Sequence, residues 1–225
     1  MNVDKLIVIG DIHGQTSWKE TLEEHLVGPN DHAVFLGDYV DSFMARPEDM
    51  IKNLEGICSY AKQDSRVHLC VGNHDFHYML MGYQYYSGYN DRFAYTYHAI
   101  FKEFDDLFNI AYFFEKNGKT YLCSHAGVTR TFLEDYCPDV FHINLYWEEH
   151  RKDFGHKPGS PYGDDVYQSP LWVRPNSLIL DAVPGFTQVV GHTYHDTPTC
   201  YDIPHDMDNS IWIVCGTDGG NFAIF

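Results

Sequence analysis

No stretch of this 225-residue chain is apolar for long enough to cross a bilayer. The longest apolar runs, such as LIVI and AVFL, fall far short of the roughly 20 residues a membrane helix needs. Basic residues are scarce, 15 Lys and Arg against 32 Asp and Glu, for a net charge of −17. That acidity disfavours nucleic acid and anionic membrane as partners. It also repels phosphorylated molecules unless a bound cation inverts the field locally. Cysteine pairing at redox or zinc-site spacing is missing: of Cys58, Cys70, Cys123, Cys137, Cys200 and Cys215, none stands in a C-x-x-C. Cys70, Cys123 and Cys215 sit in apolar runs and read as reduced, buried small hydrophobes. There is no internal repeat, no low-complexity tract and no linker dividing two units, so one α/β domain across residues 1–225 is expected. The N-terminus carries Asp4 where a secretory signal needs basic charge, and its apolar stretch is short. A cytoplasmic protein is the expectation.

What the chain does have is a 44% hydrophobic content, enough for a sizeable core. Short apolar runs over residues 5–9, 32–36 and 66–71 read as strands. Between them, Trp18, Leu22 and Leu26 recur every four residues, and Ile51, Leu54, Ile57 and Cys58 do much the same behind Pro47, Glu48 and Asp49. This alternation predicts βαβ units and a largely buried sheet. Residues 92–108 and 139–154 are helical candidates. Between those two segments, NIAYFFE and TYLCSHAG flank Asn117–Gly118, turn residues that predict a hairpin. Residues 155–170 form a long Gly/Pro/Ser-rich loop, and strands return at 188–190, 199–203, 211–214 and 222–225. The layers are either two stacked sheets or one large mixed sheet.

Polar residues follow these strands in a pattern. LIVIGDIHG ends in Asp11 and His13, AVFLGDYVD in Asp38 and Asp41, HLCVGNHD in Asn73, His74 and Asp75, TYLCSHAG in His125, and TQVVGHTYH in His192. Ligands of α/β proteins gather at the carboxyl ends of strands, so the five tips are candidates to meet. Oxygen and imidazole donors without thiolate suit manganese foremost, and also iron, zinc, nickel or cobalt. The set exceeds one tetrahedral ion and suffices for two divalent metal ions sharing a carboxylate, about 3.5–4 Å apart. Each motif alone reads equally well as a turn with a capping residue; five in order, each behind a strand, do not.

GDIHG, GDYVDS, GNHD, SHAG and GHT together resemble the calcineurin-like metallophosphoesterases, and most closely their phosphoprotein-phosphatase (serine/threonine phosphatase-like) branch. The resemblance implies a four-layer αββα sandwich of two mixed sheets with flanking helices, carrying a dinuclear metal centre on the loops that follow the strands. It implies that Asp11 and His13 bind the first metal, that Asp38 bridges, and that Asn73, His125 and His192 bind the second. A hydroxide held between the ions would attack phosphorus directly. His74 would be the general acid, with Asp41 fixing its tautomer and raising its pKa. The family pattern has Arg after the second Asp, as in VDRG; this chain has Ser42 and Phe43. The lost arginine grips the substrate phosphate. Arg174, in LWVRP, and Arg46 are the candidate replacements, with Asn73 as a further phosphate contact. Arg46 reads equally as a solvated helix start.

The expected activity is hydrolysis of phosphomonoesters, phosphoserine or phosphothreonine proteins among them; dinucleoside polyphosphates such as diadenosine tetraphosphate, or other nucleotides, are the alternative. A metal-binding protein without catalysis is a third class. The expected partner is a phosphorylated protein or small molecule, with no nucleic acid and no membrane; oligomeric state stays open. Of the fourteen histidines, His77, His98, His142, His195 and His205 read as surface or structural residues. The tyrosine-rich segment at 82–90 is either the wall of a substrate groove or aromatic loop packing.

Overall fold

A computed structural model describes every residue except Phe43, 160–162 and 217–220. The strands are β1 (Lys5–Ile9), β2 (Asp31–Phe35), β3 (Val67–Cys70), β4 (Phe108–Asn109), β5 (Ala111–Lys116), β6 (Lys119–Ser124), β7 (Thr187–Val190), β8 (Thr199–Ile203), β9 (Asp206–Ile213) and β10 (Phe222–Ile224). Seven α-helices are described: α1 (Trp18–His25), α2 (Pro47–Gln63), α3 (Asn73–Met79), α4 (Ala94–Glu103), α5 (Arg130–Tyr136), α6 (Ile143–His150) and α7 (Pro175–Asp181). Two five-stranded mixed sheets result, ordered β10-β1-β2-β3-β4 and β5-β6-β7-β9-β8.

Period-2 alternation decides which layer each strand residue serves. In the first sheet Leu6, Val8, Val34, Leu36 and Cys70 point at the second sheet, where they meet Phe114, Cys123 and Val189. Their neighbours Ile7, Ile9, Ala33, Phe35, Val67 and Leu69 point the other way, into the helices. Both faces are covered, which is why these strands read as continuous apolar runs. Burial of each such aliphatic side chain stabilises the fold by about 1.5–3 kcal/mol. Helix α2 supplies Met50, Leu54, Ile57, Cys58 and Ala61 to the helix layer. It starts at Pro47, with Glu48 and Asp49 complementing its dipole. On the far side α7 places Leu178 against Val190, Ile211 and Ile213. The order is therefore helices, sheet, sheet, helix.

Strands β1, β2 and β3 run parallel to one another, as do β6 and β7. Their carboxyl ends thus lie at common edges; Gly191 N–H donates to His125 O at 2.7 Å along the second sheet's edge, and His192 N–H donates across to Asp11 Oδ1 of the first at 3.0 Å. The expected hairpin is β5–β6, with Asn117 (φ 52°) and Gly118 (φ 77°) both left-handed, the conformation of a type I′ turn. Helix α3 differs from expectation, because GNHD opens a helix rather than a turn. Gly72 is its N-cap, and the Asp75 carboxylate reaches back to the Gly72 amide at 2.8 Å. Helices α5 and α7, of seven residues each, likewise stand where the sequence shows no repeating helical period. Among the described residues, no helix is long and apolar enough to cross a membrane.

Candidate functional site

The five strand tips converge. His125 Nε2 lies 2.8 Å from Asn73 Oδ1 and 3.1 Å from His192 Nδ1, and those two atoms are 2.9 Å apart. Asp38 Oδ2 is 3.5 Å from His125 Nε2 and 3.8 Å from His13 Nε2. Two overlapping groups, Asp11–His13–Asp38 and Asp38–His125–His192, each bring their donor atoms within 4.8 Å, with Asp38 common to both.

The proton positions make this convergence informative. His125 Nδ1 bonds Leu36 O at 2.9 Å and His13 Nδ1 bonds Val40 O at 2.8 Å. A carbonyl only accepts, so each Nδ1 carries a proton, and in the neutral ring Nε2 then presents a lone pair. A neutral His125 thus turns that lone pair toward the oxygens of Asn73 and Asp38. Acceptors aimed at acceptors about 3 Å apart repel unless a cation lies among them, and such spacing is the edge length of a polyhedron with bonds of about 2.0–2.2 Å. The donor set fits two divalent ions. The backbone-bonded Nδ1 atoms are the outer support usual for ligating histidines.

Local conformation is strained here. Among the described non-glycine residues five have positive φ, and four of them are His13 (41°), Asp38 (52°), Asp41 (63°) and His192 (63°). Left-handed backbone at residues with a Cβ persists where surrounding contacts over-determine it. For Asp38 those contacts come from Gly37 and Gly72: Gly37 is itself at φ 109°, and a Cβ on Gly72 would fall 2.2 Å from Asp38 N. Asp75 accepts from the amides of Asp38 (2.8 Å), Gly72 (2.8 Å) and Tyr39 (2.9 Å), and so locks the GDYVD and GNHD turns together.

Burial resists the charge of Asp38, but the imidazoles of His125, His74 and His13 outweigh it and hold the carboxyl below its ordinary range. His192 is driven the other way: burial, then His125 and Arg174, push its pKa well down, to the neutral form that ligates metals. His74 Nδ1 lies 3.0 Å from Asp41 Oδ2, and its backbone N–H donates to Asp38 Oδ1 at 2.8 Å. Burial lowers the His74 pKa, yet Asp38 and Asp41 together raise it to about 9. Asp41 is also reached by Tyr78 OH at 2.6 Å and His77 Nε2 at 2.7 Å.

A pocket of about 330 Å³ opens over this cluster. Asp11, His13, Asp38, Asn73, His74 and His192 form its floor, with Arg174, Tyr86, Ser87, His156 and Trp172 around them. The structure thus brings Arg174 to the site, half-buried, with Nη1 donating to His192 O at 3.0 Å and Thr193 Oγ1 at 3.2 Å. It does not bring Arg46 there: that side chain is 79% exposed and pairs with Asp49 at the start of α2. Ser42 uses its hydroxyl to accept from the Met44 and Ala45 amides, closing a local turn. The tyrosine-rich segment does both things expected of it. Tyr86 lines the pocket while Tyr85 and Tyr89 pack together at 4.5 Å. His77 is fully buried, unlike the exposed His142 and His205.

The chain matches the calcineurin-like phosphoesterase family over residues 5–209 and belongs to it. It is accordingly a hydrolase of the metallophosphoesterase class. By sequence, no curated protein matches the chain. Similar solved structures include a cold-active protein-tyrosine phosphatase from a psychrophilic Shewanella (15% identity, 99% of this chain and 75% of that one, TM-score 0.62). A serine/threonine phosphatase from Saccharomyces cerevisiae with similarity to human phosphatase PP5 is another (15%, 96% and 68%, 0.54). A third is a putative diadenosine tetraphosphatase (15%, 98% and 89%, 0.51). At these identities the likeness is one of fold.

Proposed function

We propose that the protein hydrolyses phosphomonoesters with two divalent ions, manganese foremost, within one catalytic domain spanning residues 1–225. The observation that carries this reading is the convergence of His13 and His125 Nε2, whose Nδ1 atoms donate to backbone carbonyls, on carboxylate and amide oxygens, with Asp38 common to two donor groups. Asp11, His13 and Asp38 would hold one ion; Asp38, Asn73, His125 and His192 the other. Two such ions supply a water acidified for attack at neutral pH and a positive counterpart to the phosphoryl oxygens. The rest falls to the chain. Arg174 donates to the non-bridging phosphate oxygens, and the Asn73 amide nitrogen is a second donor to the same group. His74, held through Nδ1 by Asp41, turns Nε2 to the leaving oxygen and gives it a proton. Arg46 has no part in the phosphate grip on this reading, since it is engaged with Asp49 outside the pocket. Phosphoserine and phosphothreonine peptides are the first substrates to try. Six cysteines without a disulfide are in keeping with a cytoplasmic setting.

A second reading, cleavage of dinucleoside polyphosphates, is favoured by a hollow of about 560 Å³ that shares Arg174 with the catalytic pocket and extends past Asn176, His195 and Tyr201. A substrate with two nucleoside arms needs such additional room.

The test is turnover of p-nitrophenyl phosphate by protein stripped of metal and re-loaded with Mn²⁺, followed by phosphopeptides beside diadenosine tetraphosphate. Restoration of activity by metal is expected; its absence with every divalent metal and every substrate would refute the reading. Arg174→Ala is expected to reduce kcat/KM by about 10²-fold, as for loss of one preorganised donor to developing charge. Arg174→Lys, which keeps charge but not the fork, should recover only part of it. An unchanged kcat/KM would remove Arg174 from the phosphate grip.

A further inference from the structure

His74 and Asp41 do not stand alone. On helix α3, His77 and Tyr78 follow His74 by three and four residues, so all three share a helix face, and the face is turned to Asp41. Asp41 Oδ2 is 3.0 Å from His74 Nδ1 and 2.7 Å from His77 Nε2, while Oδ1 accepts from Tyr78 OH at 2.6 Å. The proton on His77 can be placed. Its Nδ1 accepts from the Tyr86 amide at 3.3 Å, so Nε2 carries the hydrogen and points toward Asp41. That N–H is bent off the line to the oxygen and has no other acceptor among the described residues. A fully buried donor in this position is costly to leave unpaired, and Asp41 is the group within its reach.

The same two residues carry the loop beyond α3. The Asn90 amide donates to Tyr78 OH at 2.9 Å, Tyr86 stacks on His77 at 5.5 Å, and Tyr89 stacks on Tyr78 at 5.1 Å. Gly88, at φ 91°, lies so close over Asp41 that a Cβ there would come within 2.8 Å of the Asp41 Cβ. Tyr86 and Ser87 of this loop are pocket wall. A continuous set of hydrogen bonds and ring contacts therefore runs from the substrate pocket, through loop 86–90, to the carboxylate that orients His74.

We propose that His77 and Tyr78 are positioning residues for the proton donor: they fix the Asp41 carboxylate and couple its orientation to the tyrosine-rich loop in the pocket wall. The proposal rests on the reading of His74 as general acid. It predicts that the loop and its two anchors govern how well a poor leaving group is expelled, and have little bearing on phosphate binding or metal loading.

Leaving-group dependence tests this. Dinitrophenyl phosphate releases a stable phenolate without needing a proton; phenyl phosphate needs one. On metal-loaded enzyme, His77→Met and Tyr78→Phe should lower kcat for phenyl phosphate roughly 10-fold, at the low end of the effect of supporting partners. They should leave dinitrophenyl phosphate within about two-fold and KM unchanged for both. His77→Gln, which keeps an N–H donor, should restore much of the loss. Equal losses on the two substrates, or none, would overturn the proposal. His74→Asn run in parallel separates the two claims. If it discriminates between the substrates and the His77 and Tyr78 variants do not, the positioning role alone fails. If His74→Asn does not discriminate, the general-acid reading fails and the positioning role with it. Should His77→Met not fold, Tyr78→Phe, which removes one hydroxyl, decides the matter.

Discussion

Asp38→Asn is expected to cut turnover by more than the roughly 10²–10³-fold that removal of a single donor to transition-state charge costs, because it strikes both proposed metal positions at once. Bound divalent metal, measured by elemental analysis after dialysis, should fall from about two ions per chain to one or fewer. Asn is isosteric, and its oxygen can still accept from the His74 amide, which donates to Asp38 Oδ1 at 2.8 Å. The Gly72 backbone that packs against this residue is also undisturbed. The metal-free protein should therefore still fold, at some loss of stability near neutral pH, since the histidines that hold the Asp38 carboxyl below its ordinary range lose that partner. What should shrink is the gain in Tm on adding Mn²⁺, because a ligand that binds the folded state stabilises it by an amount that falls as its affinity falls. A variant that keeps full metal content and the metal-induced rise in Tm would refute the bridging role. A variant that unfolds without metal present would mean that Asp38 is held for structure rather than for ions.

The strands were legible because their burial on two faces makes them continuous apolar runs, and the motif residues were legible because they follow those runs directly. Strand β1 and strand β8 fall at the residues expected, and α2 begins at Pro47 where its start signals place it. Short elements were not legible. Helices α3, α5 and α7 have seven residues each, too few for a 3.6-residue period to repeat, and α3 begins inside a motif that also reads as a turn. The choice between one sheet and two was not legible either, since it depends on which face of β1–β3 meets β5–β7, a long-range fact.

The same division runs through the site. Asp11, His13, Asp38, Asn73, His125 and His192 carry motif signatures, and the structure brings them together. Asp75 carries its signature too, but its use as a clamp on three amides depends on the approach of two turns that no local pattern announces. His77 and Tyr78 had a usable signal, their helical spacing from His74, which is invisible while GNHD is read as a turn. His156 and Trp172 had none: they sit in loops between motifs, and they reach the pocket because rings pack edge to face there, with Trp172 at 4.4 Å from Tyr86 and 5.0 Å from His156. Sequence position already favours Arg174, which lies between His125 and His192, over Arg46, which also reads as a solvated helix start. Burial separates them, since one lies within the pocket wall and the other is at a solvated helix start.

His74→Asn is expected to reduce kcat for phenyl phosphate by about 10²–10⁴-fold, the range for a positioned general acid, with a far smaller effect on dinitrophenyl phosphate. The pH profile carries a second, independent signature. A general acid must enter the reaction protonated, so its limb is the alkaline one, with activity present below its pKa and lost as pH rises through it. Without metal, burial opposes the charged ring, but Asp38 and Asp41 prevail and raise the pKa to about 9 from the ordinary 6.5. Metal loading neutralises Asp38 and sets cations beside the ring, so it withdraws part of that support, while Asp41, whose carboxyl is held low against the cost of burial by His74 and by His77 close by, is unaffected. The alkaline limb of kcat/KM for phenyl phosphate should therefore fall below about 9. Asp41→Asn should move it lower still, because an amide holds the ring in place without stabilising its charge. In His74→Asn the limb should vanish along with most of the rate. Survival of the same limb in that variant would assign it to another group, and would leave the proton on the leaving oxygen to be supplied by water.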